Sequence, residues 1–172
     1  MNNMISWLEN ASQTNTKIRA VLRRSLSFPP GAFPGAYPYI EPFIRLEASN
    51  WEREMCYLVA GLWAINSAGK DDVQPIRLEE ACAGYYQKKE MPPSFETRFI
   101  TLLDADSDQL SHRLRQIITL LKEYKIDFDT LLKDLMYWRA SSKPAQNRWA
   151  REFYRNLNKY SENENKERES EA

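Results

Sequence analysis

FETRFITLLDADSDQLSHRLRQIITLLKEYKIDFDTLLKDLMYWRASSKPAQNRWAREFYRNL, residues 95–157, decides the fold. Leu102, Leu103, Leu110, Leu114, Ile117, Ile118 and Leu121 recur at helical spacing. Phe128, Leu131, Leu132, Leu135 and Trp138 do so again, and Trp149, Phe153 and Leu157 a third time. An amphipathic helix buries its apolar stripe only against a neighbour, and short connections favour antiparallel packing. The stretch predicts a small helical bundle. Asp106 and Gln109 have capping-box spacing for a helix reaching about Tyr124, Asp127 or Asp129 opens the next, and Ser94 is placed to cap a shorter one ending at Leu103. Ser142 and Pro144 mark the start of the last helix.

Working outward, Ser49 and Glu52 form a second capping-box pair ahead of a buried stripe of Trp51, Met55, Leu58, Val59, Leu62 and Ile65, and Gly69 is the stop signal. Thr14 or Asn15 is placed to cap a helix whose apolar face is Ile18, Val21 and Leu22. Between these helices, FPPGAFPGAYPYIEP (28–42) holds five of the nine prolines and reads as an ordered loop pinned by its aromatics. Leu78, Ala81, Cys82 and Tyr85 suggest a short helix, and 70–93 reads as a hinge. The fold class expected is all-α: an N-terminal helical lobe over 1–76, a C-terminal bundle over 77–160, and a disordered acidic tail over 161–172.

The formal charge sums to zero over 24 basic and 24 acidic residues, but the tail holds two basic and five acidic, leaving 22 and 19, a net of +3, before it. Asn10 to Pro30 carries four positive charges and no negative one, and Arg139 to Tyr160 six against one. Arg148, Arg151, Arg155 and Lys159 form a basic stripe opposite Trp149, Phe153, Leu157 and Tyr160. Such faces suit either a phosphate backbone or a salt-bridged protein partner.

Catalytic chemistry is not indicated. His112 is the sole histidine and has no Cys/His neighbours at zinc spacing, while Ser107 and Ser111 lack a triad around them. Asp104, Asp106 and Asp108 alternate as calcium ligands do, but the glycine and distal glutamate of an EF-hand loop are missing, and capping explains the acids. There is no phosphate-binding glycine loop, dinucleotide fingerprint or metalloprotease motif. We expect no metal, no cofactor and no enzyme activity. Cys56 and Cys82 form no C-x-x-C and read as buried thiols in a reducing compartment. No apolar run is long enough for a membrane span and no signal-peptide pattern is seen, so a cytoplasmic setting is expected.

Five segments, taken in order, resemble one family. RAVLRRSL (19–26), NWEREMCYLVAGLWAI (50–65), RFITLLDADSDQLSHRLRQIITLL (98–121), DFDTLLKDLMYW (127–138) and NRWAREFY (147–154) are similar to the CasB family, the small subunit of the type I-E CRISPR surveillance complex, Cascade. The segment around Arg77 departs from the family pattern, with Glu79 and Glu80 making it more acidic. The resemblance implies a two-lobed, non-catalytic helical protein inside a ribonucleoprotein. Its partners would be the backbone and large subunits, a second copy of itself, the guide RNA, the target DNA and the displaced strand. It would steady the R-loop through sequence-independent phosphate contacts, base pairing with the guide carrying specificity. The resemblance places those contacts at Arg19, Arg23 and Arg24, at Arg98 and Arg115, and at Arg148 and Arg151. The alternative is a protein scaffold whose charged faces dock neighbouring subunits without touching nucleic acid.

Overall fold

A computed structural model describes residues 3–172, the side chains of 158–161 excepted, and among the described residues every regular element is helical. The elements are α1 (Met4–Thr14), α2 (Lys17–Ser25), α3 (Tyr37–Ile40) between two single 3-10 turns, α4 (Asn50–Asn66), α5 (Leu78–Lys88), α6 (Pro93–Leu103), α7 (Leu110–Leu120), α8 (Phe128–Met136) and α9 (Pro144–Glu171). They divide into two compact units. One is the chain up to Pro75 together with Lys125–Met136, and the other is Ile76–Tyr124 with Tyr137–Ala172.

In the first unit α4 is buried almost all round, from Trp51 to Asn66. Its start is a complete capping box: the Glu52 N–H donates to Ser49 Oγ at 3.2 Å, and the Ser49 N–H to Glu52 Oε2 at 2.7 Å. Gly69, at φ +73°, turns the chain after α4 in the left-handed region that favours glycine. α2 lays Ile18 and Leu22 on α4. Gly61 permits the close approach, since a Cβ there would lie 2.6 Å from Leu26 Cδ2. The α2 N-cap is Thr16 in place of Thr14 or Asn15, although Asn15 Oδ1 accepts from the Lys17 N–H at 3.1 Å. The proline segment is pinned by rings, Phe28 stacking on Phe33 at 4.9 Å and Tyr37 meeting Tyr57 at 5.5 Å.

α8 belongs to this unit, although its sequence neighbours belong to the other. The Trp51 indole N–H donates to the Leu135 carbonyl at 2.9 Å, and Asn66 Oδ1 accepts from the Ile126 N–H at 3.1 Å. Residues 77–160 therefore do not form one continuous bundle. An apolar stripe specifies that a helix needs a partner, and α4 supplies it here.

In the second unit α5 packs along α9, and α6 packs on α7 and α9. Phe99 and Phe153 meet at 4.4 Å, and Trp138 and Trp149 at 5.1 Å, in its core. Trp138, expected within a helix, lies beyond the end of α8 and donates its indole N–H to the Ala105 carbonyl at 3.0 Å. Two helix starts differ from expectation, and α9 begins on Pro144 as expected. α6 begins on Pro93, with Pro92 as its N-cap in place of Ser94. Proline supplies the first-turn φ and lacks an N–H that would need a partner there. Lys143, in a left-handed conformation at φ +50°, precedes Pro144 at α9. α7 begins only at Leu110, because Asp106 Oδ1 accepts from the Asp108 and Gln109 N–H groups and holds a turn first. The tail expected to be disordered continues α9 to Glu171, with exposed side chains from Glu162 onward. Glu162 and Lys166, and Glu164 and Arg168, have the four-residue spacing that supports an exposed helix.

Candidate nucleic-acid interface

The seven arginines named from the sequence lie in three places, and the protein uses them differently. On α2, burial of Ile18 and Leu22 leaves Arg23 and Arg24 exposed and Arg19 half-buried. The Arg19 guanidinium carbon lies 4.1 Å from the Trp63 ring centroid, and Nη1 donates to Ser67 Oγ at 2.5 Å. Ser67 in turn donates to the Trp63 carbonyl at 2.7 Å. Lys70 donates to the Asn66 carbonyl. Two cations thus meet the carbonyl end of α4, where the helix dipole favours positive charge. Burial pushes the Arg19 guanidinium below its ordinary value, against the pull of Asp71 and Glu9. Lys70 is lowered by burial and then by Arg19. Arg24 reaches only to 5.6 Å from the Phe33 ring.

On α9, Arg148 and Arg151 are one turn apart with different surroundings. Arg148 Nε lies 3.9 Å from Glu79 Oε1, and Glu79 is only 1% exposed. The acidic departure near Arg77 is thus a buried carboxylate facing a half-buried arginine. Arg151 is exposed. Arg155 Nη1 donates to Glu152 Oε1 at 2.6 Å. Lys159 and Tyr160, the rest of both expected stripes, lie outside the described side chains.

The third place is a cleft of about 420 Å³ in the second unit, lined by Arg98, His112, Arg115, Gln116, Thr119 and Leu120. Burial of Phe95, Phe99 and Leu102 turns Arg98 outward from α6, and burial of Leu114, Ile117 and Ile118 turns Arg115 outward from α7. Two arginines distant in sequence thereby share one open surface. No carboxylate lines the cleft. Glu96 accepts from the Tyr86 hydroxyl on one oxygen and the Tyr154 hydroxyl on the other, each at 2.9 Å. Asp106 holds the turn before α7. Burial, with the bond to Glu96, pushes the Tyr154 hydroxyl up to about 12. Two guanidiniums on one surface free of lining carboxylates suit an anionic ligand with several oxygens.

Sequence reasoning passed over Gln116 and Thr119 and set His112 aside as a surface residue. Their signal is a spacing of three, one and three residues from His112 through Arg115, and nothing in the sequence says that this face meets Arg98. Among the described residues no group of three or more His, Cys, Asp or Glu side chains could hold a metal ion, and no helix is long and apolar enough to cross a membrane.

The sequence profile of CRISPR-associated protein Cse2 matches residues 18–154. The chain belongs to the Cse2 family. It is 44% identical over 155 residues to the CRISPR-associated protein Cse2 of Thermus thermophilus, covering 87% of each chain. The crystal structure of CasB from Thermus thermophilus aligns at 42% identity with a TM-score of 0.78, over 88% of this chain and 96% of that one. CasB of M. ruber aligns at 34% identity with a TM-score of 0.79, over 92% and 94%. A chain in a CRISPR RNA-guided surveillance complex in a pre-nicking state shares the fold at 19% identity, with a TM-score of 0.81 over 93% and 94%. The Cse2 family is non-catalytic.

Proposed function

We propose that this Cse2-family chain is the small subunit of a type I-E CRISPR surveillance complex, working in the cytoplasm beside the backbone and large subunits and a second copy of itself. It steadies the guide RNA–target DNA hybrid and the displaced strand through phosphate contacts that do not read sequence. The observation that carries this reading is the shared, outward-facing cleft of Arg98 and Arg115, free of lining carboxylates. Arg23, Arg24 and Arg151, all exposed, extend the contact surface. Arg19 and Arg148 contribute less, because each already faces a partner within the protein. The test compares R-loop lifetime in the assembled complex with the wild-type chain and with the Arg98→Ala/Arg115→Ala variant. A shortened lifetime, equal across target sequences, is expected. An unchanged lifetime at normal subunit occupancy refutes the contact role.

A second reading, docking of neighbouring subunits without nucleic-acid contact, has its own support. Leu46 is 94% exposed and Tyr137 66%, each an apolar side chain open to a protein partner. Under it, charge reversal at Arg23 and Arg151 abolishes assembly and leaves DNA retention by the remaining subunits unchanged.

A further inference from the structure

The α7 face of the Arg98–Arg115 cleft carries more than arginine. His112, Arg115, Gln116 and Thr119 all line it, with Leu120 at one side. Residues three and four apart stack along one helix face, so this set spans about 10 Å of α7. His112 and Gln116 are exposed. The Thr119 hydroxyl donates to the Arg115 carbonyl at 2.7 Å, leaving its oxygen to accept. No acid occurs in the sequence between Asp108 and Glu123, an uninterrupted stretch covering all of α7. An ordinary solvated helix mixes both signs.

We propose that His112 and Gln116 join Arg98 and Arg115 to seat one nucleotide of a nucleic-acid strand. The guanidiniums and the imidazole hold its phosphate, while the Gln116 carboxamide and Leu120 meet the attached sugar or base. The seat rests on the function proposed above and adds a grip that arginine spacing alone does not describe. A volume of about 420 Å³ gives room for one nucleotide on an open face of the unit. Neutral imidazole offers one N–H, whereas imidazolium offers two and a positive charge. The charged groups lining the cleft with His112 are Arg98 of α6 and Arg115 of α7; Asp108 stands one turn before it on the approach to α7. Imidazolium gives a bound phosphate a second N–H and a positive charge, so the grip tightens as pH falls.

The test uses the full chain and a hexathymidylate probe at low salt. Because His112 is the sole histidine, the imidazole C–H signals in a proton NMR spectrum report on this residue alone. Those signals are expected to move on saturation. His112→Ala is expected to weaken probe binding about three- to tenfold at about pH 6 and less than about twofold at about pH 8. His112→Gln, which keeps a donor without the charge, should show the same affinity at both pH values. Gln116→Ala should cost about two- to threefold at either pH. If Arg98→Ala/Arg115→Ala weakens binding while the imidazole signals stay fixed and His112→Ala is neutral, the seat is wrong and the phosphate-contact function stands. If the probe fails to bind at millimolar concentration, or binds regardless of Arg98 and Arg115, both fall.

Discussion

The arginines of α2 and those of the α6–α7 cleft share a sequence signature and differ in what stands opposite. Arg19 faces the Trp63 ring and the carbonyl end of α4, so its guanidinium is stacked, bonded and partly desolvated. Arg98 and Arg115 face the open cleft and one another's helices. α9 repeats the contrast within one turn, Arg148 turning to buried Glu79 and Arg151 to solvent. Helical spacing says which arginines share a face. Whether the protein consumes the charge or presents it depends on the neighbouring element, which spacing does not name.

The largest expected effect tests α9. Arg148→Ala removes the guanidinium 3.9 Å from the buried Glu79 carboxylate, and because solvent partly screens the arginine the loss is about 2–3 kcal/mol, below that of a fully buried pair. Arg151→Ala should stay within about 0.5 kcal/mol of wild type. Guanidine unfolding measures both, and adding Glu79→Gln to Arg148→Ala should recover part of the loss. Equal stabilities for the two alanine variants would remove the contrast.

The same comparison on α2 is smaller. Arg19→Ala forfeits a cation–π contact and a hydrogen bond to Ser67, together about 1–2 kcal/mol. Arg19→Lys should recover only part, because an ammonium keeps the charge and loses the planar stack. Arg23→Ala and Arg98→Ala should each leave the unfolding midpoint nearly unchanged.

These contrasts show what was legible in the sequence. The all-α class, the α4 capping box and the buried stripes follow from local periodicity and capping chemistry, which a single segment contains. The placement of α8 does not, because its stripe suits the 95–157 neighbours as well as it suits Trp51 and Asn66. The start of α7 was misplaced by three residues because Asp106 caps a turn before the helix. For the site, the exposed arginines were legible as a basic set. The burial of Glu79 against Arg148 was hidden, since a glutamate in a first helical turn ordinarily reads as a solvated dipole partner. His112 and Gln116 were hidden for the opposite reason: their cleft exists only once α6 lies beside α7.

Nucleic-acid retention sharpens the comparison from the ligand side. Each lost phosphate contact should reduce the slope of log affinity against log salt by about one. Arg98→Ala/Arg115→Ala in the assembled complex should therefore flatten that slope by about two, uniformly across target sequences. Arg19→Ala should change it by less than half a contact, about 0.5 on the same scale. A drop for Arg19 as large as for either cleft arginine would show that stacking on Trp63 does not withdraw it from the ligand.

The smallest effect is a pH dependence at Arg53, which shows why exposure alone cannot sort these residues. The Arg53 side chain is 36% exposed, yet it donates to Glu41 Oε1 and so ties the proline-rich segment to α4. The Tyr57 hydroxyl donates to the same oxygen at 2.6 Å. The bond from Arg53 is the main reason the Glu41 carboxyl sits below its usual range; desolvation offsets part of that lowering, and the Tyr57 hydrogen bond adds to it. A carboxylate lowered on folding stabilises the native state above its unfolded value, and that contribution disappears as pH falls through the folded one. Stability of wild type should therefore drop between about pH 7 and about pH 3.5. Glu41→Gln should be slightly less stable at the upper pH and lose less on acidification. Guanidine midpoints at the two pH values measure the difference. Identical losses in both proteins would mean that Arg53 is solvated in solution, placing it with Arg23 and Arg151 among the charges turned outward; a smaller loss in Glu41→Gln makes the presence of a partner, rather than accessible area, the criterion separating the two kinds of arginine.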